Sequence, residues 1–147
     1  MRLSACILAI ALLSVSTTLP ASDAMKAIAD SYLKIQSQLV NDKVDAVKPA
    51  AQAIVDQASR MGDAGREIEK TAKAMTQATD LKTARDAFGP LSDAVIAAAK
   101  ADGWKDLSGL KVAYCPMAKQ SWLQKEATIR NPYYGTAMST CGEFKKH

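Results

Sequence analysis

Between Met25 and Asp102 the apolar residues recur at steps of three and four, a spacing that commits this stretch to helices packed on one another. The first run places Met25, Ile28, Ala29, Tyr32, Ile35 and Leu39 on one face. Asn41-Asp42 interrupts it, and Asp42 is expected to cap a second run whose face is Val44, Val47, Ala51, Ile54, Val55 and Ala58. Pro49 falls early in that run, where it either kinks the helix or marks where its regular part begins. Met61-Gly62-Asp63 ends the segment. A third helix then turns Ala64, Ile68, Ala72 and Met75 inward and Arg66, Glu67, Lys70 and Lys73 outward. Asp80 caps a fourth, with Ala84, Phe88, Leu91, Val95 and Ala98 on its face. Gly89-Pro90 sits at its centre, where a bend is expected rather than a break, and Gly103 is placed to end it. Short connections favour antiparallel neighbours, so the expected fold is mainly α, a four-helix up-down bundle. Met25, Met61 and Met75 read as filler along these helices.

The residues before this bundle read as an export signal. Arg2 supplies a positive start, Ile7 to Val15 an apolar run too short to span a membrane, and Pro20 a break. Ser22-Asp23-Ala24 offers small residues where a signal peptidase reads, so residues 1–24 are expected to be removed after Ala24. Cys6 precedes the apolar run, which is the wrong order for a lipidated cysteine. Cleavage removes Arg2 and Asp23 together and leaves the net charge of +4 unchanged. The remainder, 25–147, is one domain, long enough to bury a core unaided. Its positive charge is scattered, with no basic stripe interleaved with aromatics, so nucleic acid is not an expected partner. The expectation is a periplasmic or secreted chain with no stable membrane insertion after processing.

Past Gly103 the character changes: alanine thins out and aromatics gather. Leu110 to Tyr114 reads as a short strand ended by Cys115-Pro116, Trp122-Leu123 as a second, and Thr140 to Phe144 as a third. Asn131-Pro132 and Tyr134-Gly135 are turn dipeptides. Residues 104–147 are therefore expected to form a small irregular β or loop cap on the bundle, packed by Trp104, Trp122, Tyr133 and Tyr134.

The cap also holds the residues from which specific chemistry is expected. Tyr114-Cys115-Pro116-Met117 and Met138-Ser139-Thr140-Cys141-Gly142 pair cysteine with methionine in mirrored order. No enzyme is expected: the lone histidine, His147, is the last residue and poorly placed to orient a base beside either cysteine. The cysteines stand 26 positions apart, which is not the Cys-x-x-Cys spacing of a redox dithiol, and two are too few for structural zinc. Two readings remain. Cys115 and Cys141 form a disulfide that ties the cap together, as exported proteins favour. Alternatively they act as thiolates with the thioethers of Met117 and Met138, a soft donor set that selects Cu(I). Pro116 would hold its neighbours extended so that both side chains converge.

Val112 to Ala118, Trp122-Leu123, Ile129 to Gly135, Met138 and Cys141-Gly142-Glu143, with Leu91-Ser92 upstream, resemble a family of exported bacterial domains of unassigned function. Such domains also occur attached to periplasmic adaptor subunits of copper and silver efflux pumps. Tyr114-Cys115-Pro116-Met117 is similar to the short heavy-metal motif of copper ATPases and efflux adaptors, in which a histidine follows the methionine; here Ala118 follows. The resemblance implies a heavy-metal setting, with an efflux adaptor or another metal-handling protein as partner. It marks Tyr114, Trp122, Asn131, Pro132, Tyr133, Tyr134 and Gly135 as the cap's framework. The combined expectation is a domain that binds or buffers a soft metal, Cu(I) foremost. The alternative is an interaction domain stapled by Cys115 and Cys141.

Overall fold

The computed structural model describes residues 21–105, 107 and 109–146. Most of the expected signal segment, and His147, lie outside them. Four α-helices occupy the first part: α1 (Ala21–Val40), α2 (Val47–Ser59), α3 (Arg66–Thr76) and α4 (Leu81–Ala101). The expected cleavage after Ala24 falls within the first turn of α1. Three short strands follow, β1 (Lys111–Cys115), β2 (Gln120–Gln124) and β3 (Glu143–Lys145), forming one antiparallel sheet in the order β2-β1-β3. The protein is thus mainly helical with a small C-terminal sheet.

The helical faces read from the sequence are the faces that pack. Met25, Ile28, Ala29, Tyr32, Ile35 and Leu39 of α1 are buried, as are Val47, Ala51, Ile54, Val55 and Ala58 of α2. In α4 the buried set includes Ala84, Phe88, Leu91 and Val95. α2 packs on α1 and α3, and α4 on α3 and α1, so each helix has two helical neighbours. Ala64 departs from expectation. It is exposed, because Gly62–Gly65 forms a 3-10 turn before α3 begins and so falls out of phase with the helix.

Asp80 caps α4 as expected, in a capping box: its carboxylate accepts from the Thr83 N–H while the Thr83 hydroxyl accepts from the Asp80 N–H. Asp42 does not cap α2. That helix starts at Val47 after an Ala46 that offers no side-chain cap, and Pro49 sits in its first turn, where a missing N–H costs nothing. Asp42 instead stands at φ +55°, and its carboxylate is engaged elsewhere in the fold. Pro90 lies inside α4 without ending it. Its neighbour Gly89 lets the Gln120 side chain at the start of β2 pack against α4, since a Cβ there would sit 2.7 Å from Gln120 Oε1 and the glutamine would have to shift.

The sheet joins the bundle along β2, whose outer edge would otherwise expose unpaired backbone groups. Two tyrosine hydroxyls satisfy it. Tyr32 of α1 accepts from the Leu123 N–H at 3.1 Å, and Tyr133 donates to the Ser121 carbonyl at 2.8 Å. Ser92 of α4 stands between them, 2.6 Å from the Tyr32 hydroxyl and 3.5 Å from that of Tyr133. Burial pushes both tyrosine pKa values well above their ordinary range, so both remain neutral hydrogen-bonding groups. The rings continue the connection: Tyr32 stacks on Phe88 at 5.0 Å, Phe88 meets Tyr133 at 5.8 Å, and Tyr133 meets Trp122 edge-on at 6.0 Å.

Candidate functional site

Residues two apart on a strand share a face, so Cys115 lies on the same side of the sheet as Ala113 and its cross-strand partner Trp122. The chain after β2 returns over that face. Its first fold is set by Gln124, buried within the site's foundations. The Gln124 side-chain oxygen accepts from Trp122 Nε1 (2.9 Å) and Arg130 N (3.0 Å), and its amide donates to the Glu126 and Thr128 carbonyls. Gln36 of α1 reaches across to the Arg130 carbonyl at 3.1 Å.

Asn131 sets the second fold and is itself fully buried. Its side-chain oxygen accepts from the Tyr133 N–H (2.8 Å) and the Tyr134 N–H (3.2 Å), an Asx turn. Its amide donates to the Cys141 carbonyl at 2.7 Å, and its own N–H to the Ser139 carbonyl at 2.8 Å. One residue therefore fixes both the start of the Asn131-Pro132-Tyr133-Tyr134-Gly135 run and the position of Cys141.

The same run is held to the bundle by the residue expected as a helix cap. Asp42 accepts from Arg85 and from both the N–H and the hydroxyl of Thr136. Arg85 also donates to the Pro132 carbonyl (2.9 Å) and the Leu39 carbonyl (3.0 Å). The Thr136 hydrogen bonds, then the Arg85 guanidinium, hold the Asp42 carboxyl below its ordinary pKa. Gly135, at φ +54°, leaves room for this cluster: a Cβ there would collide with Asp42 Oδ1 and the Arg85 guanidinium.

The outcome is a pair of thiols. Cys115 and Cys141 are both free, and their Sγ atoms lie 3.1 Å apart. Cys115 is buried, with no exposed surface, while Cys141 is partly exposed. Pro116 to Lys119 form the turn joining β1 to β2, with Lys119 at φ +53°, and this turn points the Ala118 N–H at Cys115 Sγ, 3.5 Å away. Burial pushes the Cys115 thiol up, but the Ala118 N–H, the Cys141 thiol and the Met117 N–H together outweigh it, and its pKa lies below the ordinary value. Cys141 is raised, first by its hydrogen bond with Cys115 and then by burial. Of the two thiols, Cys115 is thus the one that gives up its proton first.

Cys141 reaches this position because Gly142 follows it. At φ +139° the backbone there passes close over Trp122, and a Cβ would lie 2.9 Å from the indole and 3.0 Å from the Tyr114 carbonyl. Met117 and Met138, the methionines of the two motifs, are 59% and 37% exposed, and with Phe144 they make up the exposed large apolar side chains among the described residues. Among those residues no three His, Cys, Asp or Glu side chains cluster as a metal site.

Of the expected site residues, Cys115 and Cys141 are brought together, and Asn131, Pro132, Tyr133, Tyr134 and Gly135 belong to the return that passes over Trp122 of β2. Tyr114 is partly buried on β1, with the Lys145 ammonium 4.8 Å from its ring centre. Sequence reasoning did not find Gln124, Gln36 or Arg85. A glutamine directly after Trp122-Leu123 is the one signal present, an amide in the apolar part of a strand.

The protein is thus a helical bundle carrying a paired-thiol cap. The family model described as "Protein of unknown function (DUF3347)" matches residues 28–106, over half of the chain, and the chain belongs to that family. The match runs from Ile28 within α1 through the end of α4, while the sheet and the cysteine pair lie beyond it. No curated protein and no solved structure matches the chain. No helix among the described residues is long and apolar enough to cross a membrane.

Proposed function

We propose that this is an exported domain that binds or buffers a soft metal as its cargo, Cu(I) above all, with Cys115 and Cys141 as thiolate ligands and Met117 and Met138 as thioether ligands. The observation carrying this reading is a pair of adjacent free thiols flanked along the chain by two exposed methionines, Met117 two residues after Cys115 and Met138 three before Cys141. Core filler would be buried, whereas both of these side chains are exposed. Thiolate and thioether donors together favour Cu(I) over harder cations. Opening the thiols from 3.1 Å to the roughly 4 Å that two sulfurs span around one metal is a small movement of Cys141.

The setting proposed with this site is periplasmic or secreted, after removal of residues 1–24, beside a heavy-metal efflux adaptor or another metal-handling protein. The chain is read as non-catalytic, and the helices as an up-down bundle, supported by the contact that closes α4 back on α1. A second reading, a domain stapled by a Cys115–Cys141 disulfide, is favoured by the sulfur proximity alone and gives the methionines no part.

Competition of reduced protein against a chromogenic Cu(I) chelator separates the two. Met117→Leu with Met138→Leu nearly conserves volume and should leave the fold intact while weakening Cu(I) binding at least about tenfold. Unchanged affinity in that double variant would remove the methionines from the site.

A further inference from the structure

The two thiols differ in access, and that difference defines a reaction. Cys115 is buried under the return, whereas Cys141 sits partly exposed at its lip. A disulfide with only a structural role has no need of an open side. We infer that Cys115 and Cys141 form a dithiol–disulfide couple that exchanges with external thiols, with Cys141 as the sulfur attacked and Cys115 as the leaving thiolate. Closing the sulfurs from 3.1 Å to the roughly 2 Å of a disulfide takes about 1 Å of motion. The separation of 26 residues that argues against a redox dithiol along the chain is removed by the fold.

In the oxidised couple an external thiolate reaches Cys141 Sγ. A bond forms between the two, the Cys115–Cys141 bond breaks, and its electron pair leaves on Cys115 Sγ. The Ala118 N–H, 3.5 Å from that sulfur, is placed to stabilise the departing charge. A second external thiolate attacks the outer sulfur of the mixed disulfide. It releases Cys141 as a thiolate and an external disulfide, so two electrons have passed from two thiols to the couple. The reverse sequence oxidises the dithiol at the expense of an external disulfide. Neither direction requires a metal, so the inference stands apart from copper binding; a molecule whose two sulfurs are bonded to each other cannot hold the metal through their thiolates at the same time.

Glutathione and glutathione disulfide are suitable probes, with intact mass and peptide mapping as readouts. Given glutathione disulfide, reduced Cys115→Ser should accumulate a glutathione adduct on Cys141. Reduced Cys141→Ser should react at least about tenfold more slowly, because its remaining thiol is buried. Reduced wild type should pass through a Cys141 adduct to the internal disulfide. Limiting iodoacetamide on the same folded protein should label Cys141 first, a measurement that needs no variant. Equal rates in the two variants, first labelling of Cys115, or a wild type that stays as a mixed disulfide without closing would each overturn the inference.

Discussion

Asn131 shows how much of this site depends on one side chain. Along the chain, Asn131-Pro132 is a turn signal and no more. In the fold the asparagine is buried, and its oxygen and amide serve two backbone N–H groups and the carbonyl of Cys141. Truncation to alanine leaves those groups without partners in a dry place, and each such loss is expensive. Asn131→Ala should therefore destabilise the reduced protein by about 2–4 kcal/mol, measured by urea unfolding. It should also slow closure of the internal disulfide, because Cys141 loses its tether. Gly142 makes a similar point through the backbone. Its φ of +139° and its closeness to Trp122 explain why a glycine follows the cysteine, and no pattern in the sequence announces that contact.

At the scale of elements, the strands are legible in the sequence and their attachment is not. Leu110 to Tyr114 and Trp122-Leu123 mark two strands that pair in one sheet, while of the segment Thr140 to Phe144 only Glu143 and Phe144 join it, in β3. What fixes that sheet to the bundle is long-range and polar. In the sequence Tyr32 is only a member of an apolar face, yet its hydroxyl closes the edge of β2. Tyr32→Phe keeps the ring and its stacking on Phe88, and should still cost about 1–3 kcal/mol in thermal or chemical unfolding, since the Leu123 N–H is left unpaired. Asp42 departs from its expected role for the same reason: capping logic is local, and the better partners, Arg85 and Thr136, come from distant parts of the chain. Because its carboxyl is held below the ordinary value, Asp42 contributes stability above the unfolded pKa near 3.8 and loses it as pH falls through the lower folded value. Acid unfolding of the wild type should steepen below about pH 4, and Asp42→Asn should flatten that part of the curve. An unaltered acid limb in Asp42→Asn would deny the carboxylate this part. Hydrogen exchange in residues 131–142 of Arg85→Ala should rise well before the helices are affected, because the return loses its hold on α1 and α4.

For the whole molecule, a period of three to four residues is enough to place the helical faces, since burial of an apolar stripe is what a helix needs from its neighbours. Exceptions such as Ala64 arise where a 3-10 turn shifts the phase. The cysteine pair is legible as a pair of candidates and not as geometry. Their separation along the chain says nothing about the return, built by Gln124, Asn131, Arg85 and Asp42, that sets their sulfurs 3.1 Å apart. The family match follows the helices, while the cysteine pair lies beyond it in the cap. The proposed role requires that the cap bind Cu(I) through sulfur, a ligand set that X-ray absorption at the copper edge of reduced, Cu(I)-loaded protein reads out. A coordination sphere made only of sulfur, one that loses sulfur in the Met117→Leu, Met138→Leu double variant and disappears with both cysteines changed to serine, is the predicted result. A sphere dominated by nitrogen or oxygen, or one indifferent to loss of Cys115 and Cys141, would contradict it.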